Sequence, residues 1–383
     1  MEQSRQLGAI PASRRISPVR RLVVKVGSSL IASAGAGLDS NRIQQLADDL
    51  AICWNGGVEV TLVSSGAIAA GMGRLGLHER PRSIPEKQAA AAVGQSALMW
   101  HYEQAFSRHR LRVAQVLLTQ EDISQRSRYL NARNTLTALL QFKVLPIINE
   151  NDTVAVEEIK FGDNDTLAAL VANLVDADLL VILTDVDGLY TGDPRQDPHA
   201  QRLDLVESIT PELERLVWED ERPVSIGGMG TKLQAAQKAV ASGIPLVIAA
   251  GGSPGALQRI LQGESVGTYF LPRGDRLAAR KRWIAFAAPP QGRLRVDQGA
   301  QQAVGMQGKS LLPSGLLSVE GTFEAGEVVG LVDPEGREFA RGLTNYDSRD
   351  LQKICGEKTT AIAALLGYKS FDEVIHRDNL VLL

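Results

Sequence analysis

Short apolar segments alternate with amphipathic segments along most of this chain, and this alternation constrains the fold more than any other feature. The apolar segments have the length of strands and are rich in β-branched residues, whereas the segments between them have helical spacing. Because strands that are apolar on both faces must be covered on both sides, the sequence predicts an α/β fold with a mostly parallel sheet sandwiched by helices. The strand segments are RLVVKVGSSLI, VEVTLVSS, LRVAQVLLT, VLPIIN, LLVILTD and IPLVIAAG.

The pattern changes after the segment RGDRLAARKRWIAFAAPPQG, beyond which short strands are separated by frequent glycine turns. This change predicts a second, small and mostly β domain, and a chain of 383 residues is long enough for two domains. The predicted organisation is a disordered tail over 1–20, an α/β domain over 21–275, a linker over 276–288, a mostly β domain over 289–370 and a tail over 371–383.

Charge and cysteine content exclude several classes of protein. The net charge of -3 provides no global basic field for nucleic acid. Cys53 and Cys355 lie far apart without a CxxC pair, which argues against a disulfide or zinc framework and fits a reducing compartment. No apolar run approaches the roughly 20 residues that cross a bilayer. The first twenty residues lack the apolar core of a secretory signal, although a transit peptide stays an alternative to a disordered tail. A cytoplasmic protein without membrane or nucleic-acid partners is therefore expected.

The stretch from Val144 to Leu170 raises a question, because acidic and amide side chains crowd there with little positive charge beside them. They could form a metal site, cap helices, or bind a small charged substrate. A calcium-loop spacing with a bidentate glutamate is absent, which argues against the metal site. Ligands of parallel α/β sheets bind beyond the carboxyl ends of the strands, which favours the substrate. Asp163 or Asn164 also fits the start of a helix. The first cluster consists of Asn149, Glu150, Asn151 and Asp152, and the second of Asp163, Asn164 and Asp165.

Two lysines lie where anions are expected to bind. Lys25 interrupts the apolar strand VVKVGSS, and a buried lysine needs an anionic partner, although an edge lysine whose ammonium reaches water is an alternative. The N–H groups of Gly27 and Ser28 would face the same anion. Lys232 follows the glycine-rich turn SIGGMG at a helix start, which suits either a phosphate or a simple capping turn. Together, the two lysines favour phosphoryl transfer, in which positioning and charge neutralisation do most of the catalysis.

Two other glycine-containing motifs have simpler interpretations. The segment GMGRLG, with Gly71, Gly73 and Gly76, fits the dinucleotide-binding spacing. However, a helix has already begun at Ser65, so these glycines are predicted to close that helix instead. The segment TDVDGLYTGDP follows the most apolar strand and lacks the remaining ligands of a calcium loop, so a turn around a nucleotide is predicted.

The motifs, taken in order, resemble those of the glutamate 5-kinases in the amino acid kinase superfamily, over about residues 21–370. The carboxyl-terminal segments SLLPSGLLSVEGTFEAGEVV and GLTNYDS are similar to a PUA domain. The INEND and GDND blocks and the PUA-like domain separate this branch from aspartokinase, acetylglutamate kinase and UMP kinase. The motifs are VVKVGSS, VTLVSSGAIAAGM, KQAAAAVGQ, LLTQEDISQRSRYLNARNTL, PIINENDTVAVEEIKFGDNDTLAAL, LTDVDGLYTGDPR and GGMGTKLQAAQKA.

The resemblance implies ATP-dependent phosphorylation of the side-chain carboxylate of L-glutamate to L-glutamyl 5-phosphate, the first step of proline synthesis. It also implies feedback inhibition by proline and a homo-oligomer, a dimer or a tetramer, with the kinase helices as the interface. Mg²⁺ is expected to be held by ATP phosphates and water, with no metal ligands from the protein.

The resemblance also implies roles for individual residues. The catalytic residues are Lys25, Lys232 and Asp165, with Asp165 orienting both lysines. L-glutamate would contact Ser65, Asn149, Asp152 and Asn164. ATP would contact Lys25, Gly27, Ser28, Thr184, Asp185, Gly227, Gly228, Met229, Gly230, Thr231 and Lys232.

The chain departs from the family pattern in the nucleotide loop, where relatives often read GTGGMSTK and this chain has Ser225, Ile226 and Gly230 at three of those positions. Since Lys232 is kept, catalysis is expected to be retained, while contacts to ribose or β-phosphate are in question. Alanine at Lys25 or Lys232 is expected to abolish turnover and leave the fold intact, on the premise that both charges are solvated or face the ligand.

The PUA-like domain suggests a rival function, RNA binding or modification. Residues 286–383 contain 10 Lys and Arg against 13 Asp and Glu, a difference of -3. RNA binders neutralise phosphates with clustered positive charge, so this balance argues against the rival.

Overall fold

The computed structural model describes residues 18–33, 37–155, 164–192, 197–219, 228–272 and 290–383. The main division between its two compact units falls between residues 273 and 274. The predicted linker, residues 276–288, and most of the predicted amino-terminal tail lie outside the described residues. Within the described part of the chain, no helix combines the length and the hydropathy needed to cross a membrane.

The first unit is an α/β structure, as the alternating pattern predicts. Its strands are β1 (Arg21–Val26), β2 (Ala32–Ser33), β3 (Gly37–Leu38), β4 (Glu59–Ser64), β5 (Arg112–Leu118), β6 (Val144–Glu150), β7 (Leu179–Thr184), β8 (Leu205–Val206), β9 (Leu246–Ala250) and β10 (Thr268–Phe270). Its helices are α1 (Ser28–Ile31), α2 (Ser40–Asn55), α3 (Ala67–Leu75), α4 (Ile84–Ser107), α5 (Gln120–Ser124), α6 (Arg126–Gln141), α7 (Asn164–Leu174), α8 (Pro211–Glu219), α9 (Met229–Ala241) and α10 (Ala256–Leu261).

Eight of these strands form one sheet in the order β5-β6-β4-β1-β7-β9-β10-β8. Every neighbouring pair from β5 to β9 is parallel, and β10 runs antiparallel to β9. The prediction of a mostly parallel sheet is therefore confirmed. Because β1 lies between β4 and β7, the carboxyl ends of these three strands meet at one edge of the sheet.

The alternation of side chains along β1 separates the two faces of the sheet. Leu22, Val24 and Val26 belong to a core cluster with residues of α2 and α4. Lys25 points to the other face, where it meets Asp165 of α7. Strand β7 is buried at every position, as expected for a central strand covered on both sides.

Helices α3 and α4 approach each other so closely that side chains are excluded at the crossing. A Cβ atom at Gly71 would lie 1.8 Å from the carbonyl oxygen of Ala90, and one at Gly94 would lie 1.8 Å from that of Ala67. Glycine is therefore required at both positions. This contact fixes α3, which begins just after Ser65, against the long helix α4.

The glycines of GMGRLG have two different roles. Gly76 ends α3 in a left-handed conformation with φ of 66°, so the prediction that these glycines close a helix is right for Gly76. Gly71 and Gly73 lie inside the helix, where the prediction is wrong. None of the three directly follows a strand, in contrast to a dinucleotide-binding turn.

The second unit is mostly β, as predicted. Over residues 290–383, five strands form one sheet in the order β12-β11-β13-β14-β15, in which β11 and β13 are parallel and the other neighbouring pairs are antiparallel. The strands are β11 (Gly292–Val296), β12 (Leu316–Gly321), β13 (Val328–Val332), β14 (Glu338–Leu343) and β15 (Leu380–Leu382), and the helices are α11 (Gln298–Gly305), α12 (Ser348–Ile354) and α13 (Ile362–Leu366).

The separation of residues 371–383 as a tail is wrong. Strand β15 pairs with β14, with Val381 opposite Arg341. Val374 and Ile375 are fully buried in the core of the second unit. The error arises because the segment FDEVIHRDNLVLL is short and has a mixed polarity, so its pairing depends on β14, which is distant in sequence.

Candidate active site

Polar side chains lie at the carboxyl end of each central parallel strand. Lys25 is the last residue but one of β1, Ser64 ends β4, Asn149 is the last residue but one of β6, and Thr184 ends β7. This edge is where α/β sheets bind ligands.

A buried ionic cluster joins β1, α7 and α9. The Nζ atom of Lys25 lies 2.5 Å from Oδ1 of Asp165, and the Nζ atom of Lys232 lies 3.1 Å from Oδ2 of the same carboxylate. Lys25, Lys232 and Asp165 are 3%, 5% and 0% exposed. The Oγ1 atom of Thr231 lies 3.2 Å from Oδ2 of Asp165, which shares the single hydroxyl hydrogen with the Gly228 carbonyl. The alternative that Lys25 is an edge lysine reaching water is therefore wrong.

This burial also corrects the premise that the two lysines are solvated. Removing one partner of a buried ion pair leaves a charge without compensation, at a typical cost of about 3–5 kcal/mol. Substitution of Lys25 or Lys232 is therefore expected to destabilise the protein as well as to affect the reaction.

A second cluster, made of carboxamides and hydroxyls, lies at the ends of β4 and β6. The side-chain nitrogen Nδ2 of Asn164 has two hydrogens that three acceptors share: the Ser64 carbonyl at 2.8 Å, Oγ of Ser65 at 2.8 Å and Oδ1 of Asn149 at 2.9 Å. The remaining oxygen of that side chain, Oδ1 of Asn164, is buried and has no hydrogen-bond partner among the described residues. This acceptor therefore suits a donor group of a ligand.

The first two residues of α7 connect the two clusters. Asn164 directs its side chain to Ser65 and Asn149, and the next residue, Asp165, directs its carboxylate to the two lysines. A group held by the carboxamide cluster and a group held by the lysines would therefore meet at the amino terminus of this helix.

Asp152 lies in the turn that follows β6. Burial raises the pKa of its carboxyl to about 6, from an ordinary value of 3.8. Within the described residues, this carboxylate has no hydrogen bond or ion pair. A desolvated carboxylate of this kind suits a cationic ligand group, because an added positive charge would offset its desolvation.

Half of the described residues that are assigned to ATP lie in the amino-terminal turn of α9. Gly228 caps the helix, and its carbonyl oxygen accepts hydrogen bonds from Oγ1 of Thr231 at 2.8 Å and from Nζ of Lys232 at 3.4 Å. Met229 and Gly230 are the first two helical residues. Gly227, together with Ser225 and Ile226 of the same loop, lies outside the described residues.

The remaining ATP-binding candidates lie at the ends of β1 and β7. The N–H group of Gly27 donates to the Leu183 carbonyl at 3.3 Å, so its predicted orientation toward an anion is wrong. Ser28 is the exposed first residue of α1. Thr184 is buried, and its hydroxyl donates to Oδ1 of Asp185 at 2.9 Å.

A metal ion bound by the protein needs side chains as ligands. In the part of the chain that the structure describes, no group of three or more His, Cys, Asp or Glu side chains is placed to bind a metal ion. Asp163 lies outside that part.

Sequence reasoning missed Ser64 and Gln95, whose Oε1 accepts from Nδ2 of Asn149 at 2.9 Å. A polar residue on a long helix carries no local signal of such a contact.

Comparisons with known proteins agree with the division of the chain into an α/β part and a mostly β part. The sequence profile of the amino acid kinase family matches residues 20–250, and that of the PUA domain matches residues 292–366. A glutamate 5-kinase of Moorella thermoacetica is 53% identical over 368 residues, covering 96% of this chain and 97% of that protein. Glutamate 5-kinases of Citrifermentans bemidjiense and of Geobacter sp. strain M21 are each 52% identical, covering 96% of this chain and 99% of their own length.

Proposed function

Because the chain belongs to the amino acid kinase family, and within it to the glutamate 5-kinases, we propose that its two clusters transfer the γ-phosphoryl group of ATP to L-glutamate. The acceptor is the side-chain carboxylate, and the products are L-glutamyl 5-phosphate and ADP. The observation that carries this proposal is the adjacency of Asn164 and Asp165, which join an amide-rich acceptor cluster to a lysine-rich donor cluster. The reaction would be the first step of proline synthesis, in the cytoplasm.

On the donor side, Lys25 and Lys232 neutralise the phosphates while Asp165 holds both ammonium groups in place. The amino terminus of α9, through Gly228, Met229, Gly230 and Thr231, adds the positive end of a helix dipole. Gly27, Ser28, Thr184, Asp185 and Gly227 complete the proposed ATP-binding set. Mg²⁺ enters as part of the substrate, bound to the phosphates of ATP.

On the acceptor side, Asp152 and the buried Oδ1 of Asn164 bind the ammonium group of L-glutamate, and Ser65 and Asn149 bind its remaining polar atoms. The buried Oδ1 of Asn164 and the desolvated carboxylate of Asp152 both favour a ligand that donates hydrogen bonds. Neutral amide and hydroxyl groups can receive the carboxylates of the same molecule without charge repulsion.

The chemistry needs no general base. The side-chain carboxyl of glutamate has a pKa of about 4.3, so the nucleophile is already ionised at neutral pH. One carboxylate oxygen forms the new bond to the γ-phosphorus, the bond from phosphorus to the bridging oxygen of ATP breaks, and that oxygen leaves on ADP. The barrier therefore lies in bringing two anions together, and this is what two lysines beside the acceptor cluster would reduce.

Trapping of the acyl phosphate tests the proposal. Incubation with ATP, Mg²⁺, L-glutamate and hydroxylamine is expected to release ADP and form the glutamyl hydroxamate in equal amounts. Reactions without ATP or without glutamate serve as controls. Product from aspartate or acetylglutamate, with none from glutamate, would overturn the proposed substrate.

The family resemblance also predicts inhibition by proline and the formation of a homo-oligomer. The hydroxamate assay with added proline checks the first, and light scattering checks the second.

The pH dependence of glutamate use tests the role of Asp152. Below its pKa of about 6, this carboxyl takes up a proton and no longer attracts an ammonium group. We expect kcat/KM for glutamate to fall by up to about tenfold per pH unit below pH 6, since kcat/KM reports the titration of the free enzyme.

The variant Asp152→Asn is the matched control for this prediction. It is expected to raise the KM for glutamate and to flatten the acid limb of the kcat/KM profile. Because burial raises the pKa of Asp152, ionisation of this carboxyl lowers the stability of the folded protein as pH rises from 3.8 to about 6. Asparagine does not ionise, so the variant is expected to melt at a higher temperature than the wild type at pH 7. An acid limb that persists unchanged in this variant would assign the titration to another group.

A further inference from the structure

Helix α4 carries a polar stripe formed by Gln88, Gln95 and Tyr102, which are spaced by seven residues and so lie on one face of the helix. Each contacts a segment of the acceptor cluster. The side-chain nitrogen Nε2 of Gln88 donates to the Ala155 carbonyl at 3.3 Å. Oε1 of Gln95 accepts from Nδ2 of Asn149 at 2.9 Å. The hydroxyls of Tyr102 and Ser64 are hydrogen-bonded at 2.8 Å.

These partners lie on three different segments of the proposed glutamate site. Ser64 ends β4, Asn149 lies at the end of β6, and Ala155 follows the turn that contains Asp152. Helix α4 also fixes α3 through the close contact at Gly94, and α3 follows Ser65. Helix α4 therefore contacts the segments that carry Ser65, Asn149 and Asp152, three of the four residues proposed to bind glutamate.

Three contacts, one of them with Gln95, fix the orientation of the Asn149 carboxamide. While Nδ2 of Asn149 donates to Gln95, Oδ1 of Asn149 faces the opposite way and accepts from the Glu150 N–H group at 2.9 Å and from Nδ2 of Asn164 at 2.9 Å. A flipped Asn149 would set its NH₂ group against the NH₂ group of Asn164, and both donors would lose their acceptor. Asn164 in turn leaves its Oδ1 buried and available to a ligand.

We propose that Gln95 is a positioning residue for the acceptor amino acid, acting through Asn149 on Asn164. This inference rests on the proposed function, and it assigns to α4 a part in glutamate recognition. Gln95 supplies an acceptor atom to Asn149, so a residue that keeps the acceptor preserves the site, and a residue of the same size without it does not.

The test compares Gln95→Met, which removes the acceptor at similar volume, with Gln95→Glu, which keeps it. Loss of one hydrogen bond of this kind predicts a rise of about tenfold in the KM for glutamate for Gln95→Met, with the KM for ATP within about twofold of the wild type. Gln95→Glu is expected to stay within about threefold for both. Gln104→Met, the same change at an exposed position of α4, is the control and leaves both KM values unchanged.

A double-mutant cycle isolates the path through Asn149. In the background Asn149→Ala, Gln95→Met is expected to cause no further rise in the KM for glutamate. Melting temperatures identify a variant that does not fold, and Gln95→Ala, a good helix former, then replaces Gln95→Met.

Four outcomes overturn the proposal. An unchanged KM for glutamate in Gln95→Met refutes it, and so does an equal rise in both KM values, which indicates a general structural role. A full additional effect in the Asn149→Ala background refutes the path through Asn149. A wild-type protein without glutamate-dependent hydroxamate formation refutes the proposed function and this inference with it, whereas the other outcomes refute the inference alone.

Discussion

Replacing Lys25 with methionine is expected to lower kcat by about a thousandfold or more, with a much smaller change in the KM for glutamate. Methionine keeps the apolar stem of the buried lysine and removes the ammonium group, whose charge would act on the phosphoryl group as it transfers. Removal of a single group that stabilises transition-state charge in a water-excluded site costs about 10²–10³ in kcat, and cationic groups in phosphoryl transfer reach about 10³–10⁵. Hydroxamate formation at saturating glutamate and ATP measures the effect.

Stability data are needed to interpret the loss of activity in Lys25→Met. Asp165 keeps its contact with Lys232 in this variant, so we expect it to remain folded with a free energy of unfolding lowered by about 3 kcal/mol. Lys309→Met, at an exposed position in the second unit, is the control and should match the wild type in kcat and melting temperature. A folded Lys25→Met protein with kcat within tenfold of the wild type would remove Lys25 from the catalytic set.

The variant Asp165→Asn is expected to lose both stability and activity. Two buried ammonium groups share this fully buried carboxylate, and asparagine would leave both without its charge. The free energy of unfolding is expected to fall by about 3–5 kcal/mol, a large part of the stability of a typical domain. We expect kcat to fall by about a hundredfold or more, because the lysines would no longer be held in position.

Urea denaturation and the hydroxamate assay measure the two effects of Asp165→Asn separately. Asp372→Asn, which removes an exposed carboxylate paired with Lys369, is the control and should change the free energy of unfolding by about 1 kcal/mol or less. A stable Asp165→Asn protein would show that the ionic cluster contributes little to folding. Full activity in a destabilised protein would show that the cluster is structural only.

The main features of the fold could be predicted from local sequence patterns. The apolar segments became β1, β4, β5, β6, β7 and β9 of one sheet, and the change of pattern near residue 280 corresponds to the division between the two units. These predictions succeeded because the burial of a strand on two faces, or of a helix on one, is recorded in the periodicity of its own residues. The segment 371–383 escaped prediction because β15 is short and depends on β14.

The candidate site was predictable in part. The resemblance implied that Lys25, Asp165 and Lys232 act together, and the structure brings these three side chains into contact, while their catalytic role stays a prediction. The sequence suggested neither their burial nor the contact between Gln95 and Asn149. The orientation of the Gly27 N–H group was predicted wrongly because the strand-like pairing with Leu183 continues one residue past β1.

The sequence by itself determined the central strands and the helices of the first unit, and which polar residues stand at strand ends, because these features are recorded in the pattern of neighbouring residues. The tertiary structure decided which of those residues meet. Asp165 reaches Lys232 across 67 residues, and Asn164 reaches Ser65 across 99, because the sheet places β1 between β4 and β7 and the carboxyl ends of these parallel strands at one edge. That strand order follows from the packing of the whole sheet against its helices, and no local segment of the sequence encodes it.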